Sequence, residues 1–485
     1  MKDSTFYALV TLGTLGVAGL GYAMYFDYKR RNDPRFRRQL HQPGREKKKA
    51  KQQLEEQERL SQSQISVSIE NALQKALDKP LPKDPSQKEQ MFMEQVAEGE
   101  RYAALGEAGF EDAAVCFYRA LKVYPDPLEL IMIYQKTIPQ SVLSVIMGML
   151  SQDVKRRQEN YYNAFPPEEM HVKIKELSKA AAMGETMTYK TMVANKDFAV
   201  GDTIYTELPE TTLLVPGLTG SAHCDYCLRV IADGSEAKQC DTCHQVAFCS
   251  ETCKTTAEEE YHRFLCPGSA AEPIAAAQQL TGTWADKHVL SPMLIAKFFG
   301  HMIHVEKKKQ EAGEEPEYTV WERLEHLKFL ELTGTDDDAK NQELVCDLIG
   351  SKITGLENFM NRERYLMLKG KMLYNAIGVR ADGSSCPVSL SGEYTRAAST
   401  EGLVGAGLYL VSSYLTHSCE PNAVPTFPDG SSRLALQATR PIKVGDEITM
   451  TYIAVGDRPV AARQQELMEK YRLTCSCPLC VAKDE

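Results

Sequence analysis

A chain of 485 residues exceeds one ordinary domain, and about three units are expected. With 43% hydrophobic and 25% charged residues the balance is globular, and a net charge of −10 disfavours nucleic acid as a main partner. The 14 cysteines exclude an evenly spread disulfide framework, because seven fall between Cys224 and Cys266 and four between Cys419 and Cys480. Only Cys116, Cys346 and Cys386 stand apart, and the two-residue gaps within the clusters point to metal in a reducing compartment.

Phe6 to Phe26 carries no charged side chain over 21 residues. As a helix this is just long enough to span roughly 30 Å of hydrocarbon. Lys29, Arg30, Arg31, Arg35, Arg37 and Arg38 follow it, whereas a cleaved signal peptide carries its positive charge first. The pattern predicts an uncleaved anchor with the bulk of the chain in the cytosol, the alternatives being a signal peptide or a buried helix. The physics does not choose the membrane. Glu46 to about Lys79 reads as a long solvated helix or stalk, broken by Pro80, Pro82 and Pro85. A helical unit follows, with Phe92, Val96 and Gly99 on one face. Ala113 to Pro125 resembles the second helix of a tetratricopeptide repeat (TPR), and two short helices are expected over 128–136 and 139–150.

Three segments carry a first resemblance. Tyr25-Phe26-Asp27-Tyr28-Lys29-Arg30-Arg31-Asn32-Asp33-Pro34-Arg35-Phe36-Arg37-Arg38 resembles the start of the small presequence receptor (the twenty-kilodalton subunit) of the mitochondrial outer-membrane TOM translocase. Phe117 to Pro125 and Ile133 to Pro139 resemble the body of its cytosolic domain. The resemblance implies a single-pass outer-membrane anchor, contact with outer-membrane lipid and other TOM subunits, and an apolar groove for the targeting helix of presequence peptides. Carried over by position, Phe92, Met93, Val96, Leu130, Ile133 and Tyr134 line that groove; the alternative is that they are core. Glu94, Glu98 and Glu129 are the acidic candidates beside it.

Cys224-x2-Cys227, Cys240-x2-Cys243, Cys249-x3-Cys253 and His262-x3-Cys266 offer eight ligands, enough for two tetrahedral zinc ions. The spacing suits an interleaved cross-brace. With Val246-Ala247-Phe248-Cys249-Ser250 in its middle, the pattern resembles a MYND finger. That resemblance assigns Cys224, Cys227, Cys249 and Cys253 to one ion and Cys240, Cys243, His262 and Cys266 to the other. It also implies a short peptide as ligand. His223 and His244 read as surface histidines.

Beyond the finger, 292–307 and 320–332 have helical apolar spacing, with a solvated loop from Lys307 to Glu317 between them. Val193 to Val215, Gly402 to Tyr409, Leu434 to Thr439 and Gly445 to Tyr452 read as short strands. Cys475, Cys477 and Cys480 offer three thiolates, and Cys419 is the obvious fourth ligand of a third zinc.

These last motifs carry a second resemblance. Thr416 to Asn422 resembles the Asn-His-Ser-Cys-x-Pro-Asn signature of SET methyltransferases. Gly445 to Tyr452 resembles their Gly-Glu-Glu-Leu-x-x-x-Tyr segment, and 475–480 their post-SET zinc cluster. Tyr374-Asn375-Ala376-Ile377 resembles the Asn-containing segment before the signature, and the split arrangement is that of the SET and MYND domain family. The resemblance implies methyl transfer from S-adenosylmethionine to protein lysine, with Tyr452 as the catalytic tyrosine. Asn375, His417 and Thr416 stand at the cofactor. Tyr471, and Leu473 in place of an aromatic, wall the lysine channel. Two departures lie on the cofactor side: Thr416 replaces Asn, and Thr188 to Met192 lacks the Gly-x-Gly that lets backbone approach the cofactor.

The expected architecture is multidomain: an anchor at 1–27, a basic stalk and linker at 28–85, and an all-α TPR-like receptor domain at 86–150. A linker at 151–184 precedes an α+β, strand-rich SET region at 185–482, carrying the MYND finger at 224–266 and the post-SET cluster at 475–480. The expected function is an import receptor fused to a lysine methyltransferase. The alternatives are a catalytically inactive peptide-binding scaffold, or two neighbouring gene products joined.

Overall fold

A computed structural model describes residues 66–481, apart from 83, 126, 181–185, 216–217, 219, 221, 233–236, 270–273, 288–289, 314–317, 351–358 and 388–401. The expected anchor and the basic flank therefore lie outside the described residues. Among the described residues no helix is long and apolar enough to cross a membrane. The chain divides into two units, Met1–Glu159 and Asn160–Glu485.

The first unit is helical. Helix Pro85–Ala103 starts on Asp84, whose carboxylate accepts the backbone N–H of Ser86 and Gln87. Helix Phe110–Val123 buries Phe117, Tyr118 and Leu121. Helices Pro127–Thr137 and Gln140–Ala164 follow, the last residues of the second belonging to the other unit. Gly99 lets the first two helices approach closely, since a Cβ there would lie 3.0 Å from the Phe117 ring. Residues 66–77, expected in the solvated stalk, instead form a helix whose Ala72, Leu73 and Ala76 join this core. Small side chains there permit tight packing. The buried Arg119 guanidinium closes that helix by donating to the carbonyls of Ala76 and Lys79.

The second unit is α+β. A hairpin pairs Val172–Ala180 with Thr186–Ala194, in register from Val172 opposite Ala194 to Ala180 opposite Thr186. A three-stranded sheet has the order Ala423–Thr426, Leu434–Ala438, Thr203–Glu207. A four-stranded sheet has the order Thr211–Leu214, Leu403–Leu408, Ala376–Arg380, Ser385–Pro387. Residues 151–184, expected as linker, thus hold the end of a helix and a paired strand.

Helix Ser291–Ala312 is buried on every side over its first ten residues, as its apolar run requires. Gly300 admits the finger against it, since a Cβ there would meet Tyr261 Cα at 2.8 Å. The helix runs through Lys307 to Ala312, where a loop was expected, and ends on left-handed Gly313. The helix from Val320 stops at Glu325 rather than Leu332. The reason is Lys371, whose buried Nζ donates to the carbonyls of Glu325 and Leu327 at 3.1 and 2.7 Å. Those carbonyls are thereby satisfied outside a continuing helix.

Candidate active site and metal centres

Three groups of ligand atoms converge, each within 4.8 Å: Cys224, Cys227, Cys249, Cys253; Cys240, Cys243, His262, Cys266; and Cys419, Cys475, Cys477, Cys480. Sulfur separations are 3.6 Å for Cys227–Cys249, 3.7 Å for Cys249–Cys253 and 3.5 Å for Cys419–Cys480. Cys243 Sγ stands 3.6 Å from His262 Nε2. Around a tetrahedral zinc with Zn–S near 2.3 Å, ligand atoms lie roughly 3.8 Å apart. The donor sets and spacings fit three structural zinc ions with no open position. The first two groups interleave along the chain, as the cross-brace expectation requires.

The finger is fastened to the rest of its unit by a buried ion pair. Lys297 Nζ, on the central helix, lies 2.8 Å from the Asp225 carboxylate, between Cys224 and Tyr226, and Tyr261 donates to the same oxygen at 2.8 Å. His223, next to Cys224, is half-buried, and His244 takes a left-handed conformation with φ 52°.

The third group lies beside the signature turn. Thr416–His417 pairs in parallel with Thr449–Met450. Asn422 fixes this crossing: its amide donates to the Glu447 carbonyl and its Oδ1 accepts the Thr449 N–H, both at 2.8 Å. Both ring nitrogens of His417 are engaged. Nδ1 accepts the Tyr452 N–H at 3.0 Å, which leaves the proton on Nε2, 3.4 Å from Cys419 Sγ. Burial pushes His417 down to about 4, so it is neutral.

A cavity of about 60 Å³ adjoins this turn, lined by residues that include Tyr374, Asn375, Met450, Tyr452 and Tyr471. The Tyr374 and Tyr471 rings meet edge to face at 5.6 Å, and Tyr452 and Tyr471 lie 5.1 Å apart. Tyr452 donates its hydroxyl to the Leu415 carbonyl, and Tyr471 donates to the Tyr452 carbonyl at 3.2 Å. Burial holds Tyr452 well above the ordinary phenol range. The structure thus brings together Tyr452, Tyr471, Asn375 and His417. Leu473 packs instead with the cluster around Cys419, Ile453 and Leu467, and is not a lining residue. Tyr374 takes the third wall. It stands next to Asn375 in the recognised segment, and that adjacency was its one sequence signal.

The positions that depart from the family pattern share one acceptor. Thr416 and Thr191 donate to Glu447 Oε1 at 2.6 and 2.8 Å, and Tyr189 donates to Oε2 at 3.3 Å. Gly445, at φ +88°, allows the turn that brings Glu447 beside the hairpin, where Ile448 donates to the Met192 carbonyl. The sequence gives no sign of this role for Glu447, because the hydroxyls it gathers come from 31, 256 and 258 positions away.

In the first unit the expected groove residues divide. Leu130 and Tyr134 are core, each 3% exposed, and Tyr134 donates to the Phe117 carbonyl at 3.2 Å. Met93 and Ile133 are 65% and 43% exposed, and Phe92 and Val96 are half-buried. Phe92 packs on Tyr124 at 5.0 Å.

Comparison with known proteins matches both units. Residues 9–163 match the MAS20 protein import receptor family and residues 190–453 the SET domain family. The chain is 25% identical to protein-lysine N-trimethyltransferase SMYD5 of Homo sapiens over 365 residues, covering 61% of this chain and 84% of that protein. It is 38% identical to mitochondrial import receptor subunit TOM20 of Saccharomyces cerevisiae over 145 residues, 29% of this chain and 76% of that one. A SET and MYND domain-containing protein of Dictyostelium discoideum is 27% identical over 273 residues, 53% of this chain and 71% of that protein. By these matches the chain belongs to the MAS20 import-receptor family through its first unit and to the SET domain family through its second.

Proposed function

We propose that the second unit is a protein-lysine methyltransferase carried on an import receptor. The observation that carries this reading is Tyr452, whose hydroxyl is turned onto the Leu415 carbonyl beside a tyrosine-walled cavity. When bound, S-adenosylmethionine supplies an electrophilic methyl on its sulfonium. The residues fit it: Asn375 is 5% exposed, and among the described residues its Oδ1 has no hydrogen-bond partner, an acceptor awaiting a donor. Asn375, Thr416 and the His417 backbone form the cofactor side.

The protein's part is alignment and exclusion of water. The rings of Tyr374, Tyr452 and Tyr471 receive the aliphatic stem of the lysine and disfavour its ammonium form by desolvation. The Tyr452 hydroxyl keeps its proton and donates it in a hydrogen bond to the Leu415 carbonyl. Its oxygen is left to accept from the amine and to aim the nitrogen lone pair at the methyl. The third zinc holds the wall from which Tyr471 projects. The zinc-binding module at 224–266 is read as a MYND finger that binds a short peptide.

The first unit is read as a receptor for mitochondrial presequence peptides within the TOM complex, anchored once in the outer membrane by Phe6 to Phe26. Met93, Ile133, Phe92 and Val96 offer the apolar surface for a helix-in-groove contact. A peptide-binding scaffold without catalysis is the second reading. It is favoured by Tyr189, Thr191 and Thr416, whose hydroxyls close on Glu447 at the cofactor side. Binding of radiolabelled S-adenosylmethionine to the full-length protein separates the two: saturable binding supports the enzyme, and no binding at saturating concentration leaves the scaffold.

A further inference from the structure

Between helices Val320–Glu325 and Asp336–Gly350 the chain runs past helix Arg362–Asn375, and three contacts fix its course. Gly370 lets it in: a Cβ there would lie 2.1 Å from the Leu330 carbonyl oxygen. Lys371 holds the Leu327 carbonyl at 2.7 Å, and Asn375 Nδ2 holds the Lys328 carbonyl at 2.8 Å. Lys328 is therefore positioned by Asn375 itself. Its side chain reaches the face of Tyr189 on the hairpin, with Nζ 6.0 Å from the ring centroid.

Lys328 lacks what a half-buried lysine ordinarily has. Among the described residues its Nζ has no carboxylate within ion-pair distance. Glu447, the acid that acts on it electrostatically, is already engaged by the hydroxyls of Tyr189, Thr191 and Thr416. Burial lowers the Lys328 pKa, as expected of an ammonium without a close counter-charge. Asn375, whose Nδ2 holds the Lys328 carbonyl, has in Oδ1 a buried acceptor that meets no donor among the described residues. An unpaired cation and an unpaired acceptor complement an α-amino-acid end, which carries one carboxylate and one ammonium.

We infer that Lys328 binds the carboxylate of the cofactor's methionyl end, while Asn375 Oδ1 accepts from its ammonium. The inference rests on the methyl-transfer reading. It also supplies an anion-binding group where Tyr189 and Thr191 stand in a segment lacking the expected glycines. A charge-assisted contact of this kind is worth roughly tenfold in affinity or more.

The test is calorimetric binding of S-adenosylhomocysteine and of its decarboxylated analogue to the full-length protein. Wild type is expected to prefer the carboxylated ligand by about tenfold or more. Lys328→Met should abolish that preference and Lys328→Arg should keep most of it, with unchanged melting confirming the fold. A Lys328→Met protein that retains the full preference overturns the inference and leaves methyl transfer standing. Wild-type protein that binds neither ligand overturns methyl transfer, and this inference with it.

Discussion

His417 accepts the backbone N–H of Tyr452 at 3.0 Å through one ring nitrogen and turns the other to Cys419 Sγ at 3.4 Å. One neutral imidazole thus joins Tyr452, the proposed catalytic tyrosine, to Cys419 of the third ligand group. Loss of a group that hydrogen-bonds a metal ligand commonly changes metal affinity or activity by roughly 10–100-fold. His417→Ala should lower methyl transfer by at least about tenfold and speed zinc loss to a colorimetric chelator. Unchanged zinc release would separate the turn from the metal.

The finger should depend on metal and on one buried pair. Chelation should unfold it, because 43 residues cannot bury enough apolar surface alone. Lys297→Met strands Asp225 among buried groups and should cost about 3–5 kcal/mol by urea denaturation. The double variant Lys297→Met, Asp225→Asn should recover much of that loss.

Glu207 gives the second unit a pH dependence. Its carboxylate accepts the N–H of Val411 and Ser412 and the Ser412 hydroxyl, yet burial pushes it up to about 7 from 4.5. A carboxyl raised on folding stabilises fully below the unfolded value, and that contribution is lost as pH rises through the folded one. Stability should therefore fall between pH 4.5 and about 7, by roughly 1 kcal/mol per unit, and level off above. Melting of wild type and Glu207→Gln at pH 6 and pH 8 isolates the term, since the variant lacks this slope whatever its absolute stability.

In the first unit, exposure separates the proposed groove residues Met93 and Ile133 from the core residues Leu130 and Tyr134. Ile133→Asp should weaken presequence-peptide binding by about tenfold without changing the melt, through lost apolar contact. Leu130→Asp should unfold the domain, since Leu130 lies inside the cluster with Phe117 and Val142. Equal effects of the two on folding would remove the distinction.

What could be read from the sequence depended on whether a residue's role follows from its neighbours in the chain. The twelve ligand residues were legible because tetrahedral chemistry constrains spacing, and the strands Leu403–Leu408 and Leu434–Ala438 because apolar runs and glycine turns are local; Ala423–Thr426 was missed, and Gly445 to Tyr452 pairs as strand only at Thr449–Met450. Residues 66–77 were misread because Ala72 and Ala76 are buried among charged neighbours, which small side chains allow. The helix from Val320 was read too long because Lys371, more than forty positions away, satisfies the carbonyls that end it. Lys328 escaped notice within that over-long helix, and only the passage past Gly370 brings it to Tyr189.

Tyr452 stands at the centre of the account, so the deciding measurement is transfer of a radiolabelled methyl group to protein lysine by full-length wild type and Tyr452→Phe. Wild type should label lysine. The variant should bind S-adenosylmethionine with similar affinity while turnover falls by about a hundredfold, the loss expected when one oriented hydroxyl is removed. Labelling by Tyr452→Phe at the wild-type rate, or no labelling by wild type despite bound cofactor, would contradict it.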